Sequence, residues 1–269
     1  MASKLSKRKQ PRREDKILKE HTKISGKVFD DKTMLTLYYF LSNKKITSLE
    51  FPISQGKESV VFYAKKRVEK KDSKGNAKLL REEEIAVKIF KYETASFQKR
   101  MEYIEGDKRF KVQHNLRAMV DLFAKKEFLN LKKCFDAGIS VPKPLALRRN
   151  VILMRFIGEK GMPAPLLAQI PKLPEKERYF AEVIDLMKKM YKINLVHSDL
   201  SEFNIIIWEG RPIVLDVSQA VLSDHPKAGE FLKNDVHNVC SYFIRIGLQV
   251  DPQQVLSEIL AAKTQKGQN

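Results

Sequence analysis

Cysteine is scarce in this chain, and long hydrophobic runs are missing. The two cysteines, Cys134 and Cys240, lie far apart and form no CxxC pair. That excludes a disulfide framework or a thiolate metal cluster, and both thiols read as free in a reducing compartment. The five histidines have no metal-ligand spacing. The longest apolar stretches, such as Ile205 to Trp208 and Ile213 to Leu215, are strand-length. A membrane span would need roughly 18 apolar residues. The first residues are basic and polar without an apolar core, so no secretory leader is expected. Acidic charge is also short: 33 Asp and Glu stand against 51 Lys and Arg, a net charge of +18. Such a surplus points to a polyanionic partner, because Lys and Arg release counterions from a phosphate backbone. Nucleic acid is expected over a membrane surface, since no amphipathic anchor or lipidation motif accompanies the charge. A generally basic surface would give the same total with no ligand at all.

What is present falls into two regimes. Residues 1–27 carry basic residues from Lys4 to Lys19 and few apolar ones, the composition of a disordered basic tail. Asp31 to Leu41 has a helix-like apolar face in Met34, Leu35, Leu37, Tyr38 and Leu41. Ile46 to Phe51, Val60 to Ala64 and Ile85 to Phe90 read as three strands. Between the last two, residues 65–84 are dense in Lys and Glu around Ser73-Lys74-Gly75-Asn76, an exposed hairpin insertion. Leu116 to Lys133 reads as an amphipathic helix with Leu116, Met119, Val120, Phe123, Leu131 and Phe135 inward, stopped by Gly138. Pro142 and Pro144 break the chain, and Val151 to Ile157 is a strand ending at Gly158. Helices follow at Glu175 to Ile193, Pro226 to Ile246 and after Asp251-Pro252. A hairpin lies between the first two: Ile205–Trp208 and Ile213–Val217, joined by Glu209-Gly210. Strand-rich first and helix-rich second predicts an α+β, two-lobed fold with a cleft. Its parts are an N-terminal helix and β-rich lobe at 28–153, a hinge at 154–158, an α-rich lobe at 159–262 and a tail at 263–269.

The chemistry concentrates in His197-Ser198-Asp199-Leu200-Ser201-Glu202-Phe203-Asn204, followed by Leu215-Asp216-Val217. Asp-x4-Asn is the spacing of a kinase catalytic loop, in which Asp accepts the attacking hydroxyl's proton and Asn holds a metal. Mg²⁺ takes one or two carboxylates together with substrate phosphates, a demand that Asn204 and Asp216 meet if the hairpin folds them together. A helix cap at Asp199 and a turn residue at 216 would be the bland alternative. Lys88 stands in Ala-Val-Lys-Ile, close to the Val-Ala-Ile-Lys strand whose lysine pairs with ATP phosphates. Glu127 on the following helix is its natural ion partner, although Lys125 and Lys126 beside it also suit a solvated face. Ser54 to Ser59 joins two strands and could cover phosphates, but one glycine does not make a Gly-rich kinase loop. His197 reads as a buried structural histidine, since Asp199 already holds the role of base.

These segments together resemble the RIO atypical kinases over roughly residues 30–250. Ile53-Ser54-Gln55-Gly56-Lys57-Glu58-Ser59-Val60-Val61-Phe62 is similar to their phosphate loop, and Val196 to Asn204 to their catalytic loop. Leu215 to Val221 with His225-Pro226 is similar to their metal-binding segment, and Met154-Arg155-Phe156-Ile157-Gly158 to their hinge. The Rio-one subfamily resembles the chain most, with the Rio-three subfamily close behind. The resemblance implies a serine/threonine kinase or ATPase that uses ATP with Mg²⁺, or Mn²⁺ in its place. It implies ATP contacts at Ser54, Gly56, Lys57 and Lys88, and hinge backbone contacts at Arg155 and Ile157. Asp199 would be the proton acceptor, Asn204 and Asp216 the metal ligands, and Asp216 the acceptor of an aspartyl phosphate. It implies cytoplasmic maturation of the small (40S) ribosomal subunit, with the precursor particle and its rRNA as partners. Among its departures, Arg155 stands where an acidic or small residue is usual, the 65–84 insertion is unusual, and the long C-terminal tail common in eukaryotic relatives is not expected after Asn269.

After Asp216 a helical pattern begins almost at once, and no Ala-Pro-Glu follows. The α-rich lobe is therefore expected to lack an activation loop and the platform for an extended peptide. Two other readings share these residues: a small-molecule phosphotransferase of the aminoglycoside-kinase type, and a non-catalytic ribosome-assembly binding factor. The first fits poorly with a net charge of +18. If the tail carries the nucleic-acid contacts, deleting residues 1–27 should flatten the salt dependence of RNA binding and leave ATP binding intact. Filter binding across a salt series measures this, and an unchanged slope would move the RNA site to the folded part.

Overall fold

Asp30 starts the first helix, α1 (Asp31–Ser42), by accepting the Thr33 amide at 2.8 Å. The computed structural model describes residues 29–71, 77–92, 101–112 and 115–264. The basic tail read at 1–27, the Ser73-Lys74-Gly75-Asn76 turn and residues 265–269 of the last tail lie outside them.

A five-stranded antiparallel sheet follows, in the order β1-β2-β3-β5-β4. Its strands are β1 (Ser48–Gln55), β2 (Ser59–Lys71), β3 (Ala77–Phe90), β4 (Pro144–Arg148) and β5 (Val151–Arg155). Side chains on a strand alternate between faces. On β3, Ile85, Val87 and Ile89 therefore join Leu37 and Phe40 of α1 in one core. Ala86 and Lys88 point to the opposite face and line a cleft. The Lys- and Glu-rich stretch at 65–84 continues β2 and β3, with pairing from Ser59↔Phe90 out to Lys71↔Ala77. Cross-strand pairs such as Arg67–Glu82 at 3.1 Å and Lys66–Glu83 at 3.6 Å suit it to a ladder despite its polarity.

A short helix, α2 (Glu102–Glu105), precedes the long α3 (Leu116–Asp136). Asn115 caps α3 by accepting the Arg117 amide at 2.8 Å. Gly138, at φ +71°, ends it, and the Ile139 amide reaches back to the Cys134 carbonyl at 3.0 Å. Met119, Val120, Phe123 and Leu131 are buried, as their spacing predicts, and Ala124 joins them. Leu116 and Phe135 are not: they are 45% and 39% exposed, because they occupy the terminal turns of the helix, away from its buried middle. The two prolines read as a chain break instead lead into β4. That strand pairs only with β5, and an edge strand tolerates a residue that lacks an N–H.

Beyond β5 the chain makes a small ribbon, β6 (Gly158–Glu159) with β7 (Met162–Pro163), and a 3-10 turn at Leu167–Gln169. Gly158 has φ +149°, and a side chain there would collide with the Met162 carbonyl. The second lobe is built on α4 (Lys176–Lys192), α5 (Ala228–Arg245) and α6 (Pro252–Thr264). Two small sheets join it: β8 (Leu195–Val196) with β11 (Val221–Leu222), and β9 (Ile205–Trp208) with β10 (Arg211–Val214). β10 begins and ends earlier than the Ile213–Val217 expected, and Asp216 at φ +50° could not continue its ladder. Buried side chains of this lobe run without a gap to Tyr63, Ala86, Met154 and Phe156 of the sheet and its exit. The two lobes thus share apolar packing beneath the cleft. Among the described residues no helix is long and apolar enough to cross a membrane.

Phe123 is fully buried in the cluster that joins α3 to Phe90 and Ile152. Phe123→Ala should cost about 3–5 kcal/mol of unfolding free energy in a denaturant titration. A loss under about 1 kcal/mol would contradict its place in the core.

Candidate active site

β3 turns Lys88 into the space between the lobes, and α3 turns Glu127 to meet it. The ammonium lies 2.8 and 2.7 Å from the two Glu127 oxygens and 3.0 Å from Asp216 Oδ1. Lys88 and Glu127 are both buried. Burial alone would push the Lys88 pKa down. The Asp216 and Glu127 carboxylates outweigh it and hold the pKa above its ordinary value. The cleft therefore contains a permanent cation.

Asp216 sits just past β10 in the left-handed region, which Asp tolerates better than most residues. Ser218 Oγ donates to Asp216 Oδ1 at 2.7 Å. The Leu215 amide donates to the Asn204 carbonyl at 2.8 Å, which closes the β9–β10 hairpin at its base. Asn204 and Asp216 thereby come to line one cleft. Asn204 Nδ2 donates to the Asp199 carbonyl at 2.7 Å, so its Oδ1 is the atom left for a cation. Among the described residues no group of three or more His, Cys, Asp or Glu could hold a metal. One carboxylate and one amide oxygen, completed by phosphates, suits Mg²⁺.

The loop between β8 and β9 is fixed from α5. Asp235 accepts the Ser198 amide at 2.8 Å and the Leu200 amide at 2.7 Å, gripping the backbone on both sides of Asp199. The Asp199 carboxylate is exposed and accepts Gln219 Nε2 at 3.1 Å. His197 is buried, and its Nε2 lies 2.9 Å from the Leu215 carbonyl, to which it donates. Burial lowers its pKa, so the ring is neutral and steadies the approach to Asp216.

The cleft encloses about 380 Å³, within the range of small-molecule sites. Of the residues singled out from sequence, Ser54, Gly56, Lys88 and Glu127 line it from one side, Arg155 and Ile157 from the exit of β5, and Asn204 and Asp216 from the other side. Lys57 is exposed on the turn between β1 and β2 and is not part of that lining, and Asp199 lies outside it as well. Arg155 gives its amide to the Lys143 carbonyl at 2.8 Å, and the Ile157 carbonyl accepts Ala164 N–H at 3.1 Å. Backbone contacts to a ligand there fall to the Arg155 carbonyl and the Ile157 amide. A second hollow, of about 430 Å³ between α1 and Arg148–Arg149, contains none of these groups.

Sequence reasoning missed Asp235 and Asn130, took Ser218 and Gln219 only as part of the segment after Asp216, and left a solvated face open for Lys126. Lys126 is fully buried. A signal existed for two of them. Asp235 interrupts the apolar stripe of Phe231, Leu232, Val236 and Val239, and Lys126 interrupts that of Phe123, Ala124 and Leu131. A charge inside an apolar stripe must be paired.

The RIO domain family model matches residues 60–255. The chain is 35% identical over 230 residues to "RIO-type serine/threonine-protein kinase Rio1" of Haloferax volcanii, covering 85% of this chain and 74% of that protein. It is 36% identical to the protein of the same name from Methanocaldococcus jannaschii, covering 84% and 73%. It is 38% identical to human "Serine/threonine-protein kinase RIO1", covering 87% of this chain and 40% of the human one. Human "Serine/threonine-protein kinase RIO3" matches at 37%. In three dimensions the chain is similar to the Rio2 kinase–ADP/Mg²⁺–phosphoaspartate complex from Chaetomium thermophilum. The TM-score is 0.64 at 23% identity, over 95% of this chain and 76% of that one.

Burial raises the Asp235 pKa to about 7, against the amides of Leu200 and Ser198, which lower it, while nearby Asp199 adds to the rise. The unfolded value is 3.8. Between these values the folded state holds a proton that the unfolded state has lost, so stability falls as pH rises from about 4 to about 7. The difference in unfolding free energy, wild type minus Asp235→Asn, should therefore shrink across that window, by on the order of 1–4 kcal/mol. Denaturant titrations at several pH values measure it, and a flat difference would contradict the buried, proton-binding carboxylate.

Proposed function

The chain belongs to the RIO family, whose curated relatives are serine/threonine-protein kinases, and from that premise we propose that it works as an ATP·Mg²⁺-driven switch. The observation that carries this reading is the placement of Asp216 in the cleft, 3.0 Å from Lys88, on a segment that leads directly into α5. Residues 217–227 make a turn and the two-residue strand β11, which pairs with β8. They leave no free loop on which an extended peptide could dock.

ATP would lie in the cleft with its base toward Arg155 and Ile157 and its phosphates under Ser54 and Gly56. Lys88 would neutralise phosphate oxygens while Glu127 holds it in place. Mg²⁺, held by Asn204 and Asp216, would supply charge neutralisation on the β- and γ-phosphates. The Asp216 carboxylate then attacks the γ-phosphorus, the bond to the β-phosphate oxygen breaks, and ADP leaves. Asp199 takes the proton of the water or hydroxyl that next attacks the acyl phosphate, which restores Asp216. The phosphoaspartate named in the Rio2 complex is the same chemistry in a relative of the fold. ATP would favour one bound state on a partner and hydrolysis would favour release.

For the partner we propose a precursor of the small (40S) ribosomal subunit, reached in the cytoplasm. The net charge of +18 supports an rRNA-bearing particle over a free peptide, because a phosphate backbone draws Lys and Arg.

Lys88→Ala should weaken ATP binding by about 1.5–3 kcal/mol in calorimetry. Asp199→Ala should retain ATP and lose turnover by roughly 10²-fold or more. Protein trapped with γ-labelled ATP should release its label on treatment with hydroxylamine. Label that resists hydroxylamine and maps only to Ser or Thr, with full turnover in Asp199→Ala, would refute the proposal.

A further inference from the structure

The turn that carries Asp216 is held from behind by α3. Lys126 Nζ donates to the Ser218 carbonyl at 3.1 Å and the Ala220 carbonyl at 2.7 Å. Asn130, one turn further along the same helix, donates from Nδ2 to the Val217 carbonyl at 2.9 Å and the Ala220 carbonyl at 3.0 Å. Lys126 and Asn130 are both fully buried. Three carbonyls of residues 217–220 thus converge on two side chains of one helix. The side chains of the same turn serve the chemistry: Ser218 Oγ donates to Asp216 Oδ1, and Gln219 Nε2 to Asp199 Oδ2.

The contacts close into a ring. From Lys126 it passes through Ser218 and Asp216 to Lys88, and from Lys88 to Glu127, the covalent neighbour of Lys126. Asn130 is itself set from outside the ring. Its Oδ1 accepts Arg109 Nη1 at 2.8 Å, and Arg109 is paired through Nε and Nη2 with buried Asp107 at 2.9 and 2.6 Å. A fully buried ammonium is costly unless its acceptors stay in place. Moving α3 away from the turn would strand that charge, so the helix and the turn move as one body.

We propose that Lys126 and Asn130 are positioning residues for phosphoryl transfer. Gripping the 217–220 turn by its carbonyls, they fix Asp216 for the cation and, through Gln219, Asp199 for the proton. The Lys88–Glu127 pair then stays closed through the nucleotide cycle, and the switch acts elsewhere in the fold. This rests on the assignment of the cleft to ATP and Mg²⁺.

The test uses two variants of the full chain. Lys126→Met keeps length and removes the donors. Asn130→Asp keeps the acceptor for Arg109 and removes the donor to the carbonyls. Mn²⁺ binding is read by electron paramagnetic resonance with a non-hydrolysable ATP analogue, and nucleotide binding without metal by calorimetry in EDTA. Each variant should lose about 10–100-fold in Mn²⁺ affinity, as removal of an outer partner does, and keep its metal-free nucleotide affinity. Amide exchange should quicken at 216–220 and stay unchanged at 85–90. Wild-type Mn²⁺ affinity in both variants would overturn the proposal, provided that Asp216→Asn loses the metal. If Asp216→Asn keeps it, the assignment of the cleft fails instead. Loss of the fold in both variants would overturn the positioning role too, since the pair would then be structural.

Discussion

The structure depends on the buried ammonium of Lys88. Lys88 is out of water, and its nearest charges are the Glu127 and Asp216 carboxylates. Desolvating each ion costs several kcal/mol. At about 3 Å and an effective dielectric near 20, a carboxylate draws an ammonium by roughly 5 kcal/mol, enough to offset that cost only where the geometry is held. β3 holds the lysine and α3 holds the glutamate, so sheet and helix must pack in one register for either charge to be stable. Within this trio, one ammonium against two carboxylates leaves a net negative charge. An added divalent cation is therefore attracted to the Asp216 side, where the side chain remains 44% exposed.

From that pair the other arrangements follow. α3 reaches the sheet through Phe123 and Val120, the lysine through Glu127, and the second lobe through Lys126 and Asn130. α5 does the corresponding work below the cleft, where Asp235 grips the backbone around Asp199. Asp199 and Asp216 thus each sit on a short irregular segment that a long helix holds by hydrogen bonds. Ser198 at φ +69° and Asp216 at φ +50° are both left-handed, the kind of strained backbone that persists only when its surroundings over-determine it.

The parts legible in the sequence were those whose meaning is local. The Asp199 to Asn204 spacing lies within one loop, and the Asp216 segment follows a single hairpin. Alternation along Ile85 to Phe90 sends Lys88 to the face opposite the α1 core, and the order of strands and helices gives a two-lobed α+β fold. What stayed hidden depends on segments distant in sequence that meet only after folding. A solvated face stayed open for Lys126 because nothing near it in sequence could accept its hydrogen bonds; its acceptors are some 90 residues away. Asp235 carries no motif and Gln219 is only one residue of the segment after Asp216; their contacts appear only when α5 and the 217–220 turn close on the 197–204 loop. β4 was masked by Pro142 and Pro144, since a proline in an edge strand looks the same as one that ends a strand.

The central claim is that the buried charges act as a unit that organises the cleft before any ligand arrives. A double-mutant cycle on Lys88→Met and Glu127→Leu, read by equilibrium unfolding without nucleotide, tests it most directly. The account predicts that Glu127→Leu alone is costly because it strips the buried ammonium of a partner, and that adding Lys88→Met restores much of the loss. The coupling should exceed about 1 kcal/mol. Costs that add to within about 0.5 kcal/mol would show two independent side chains and contradict the account.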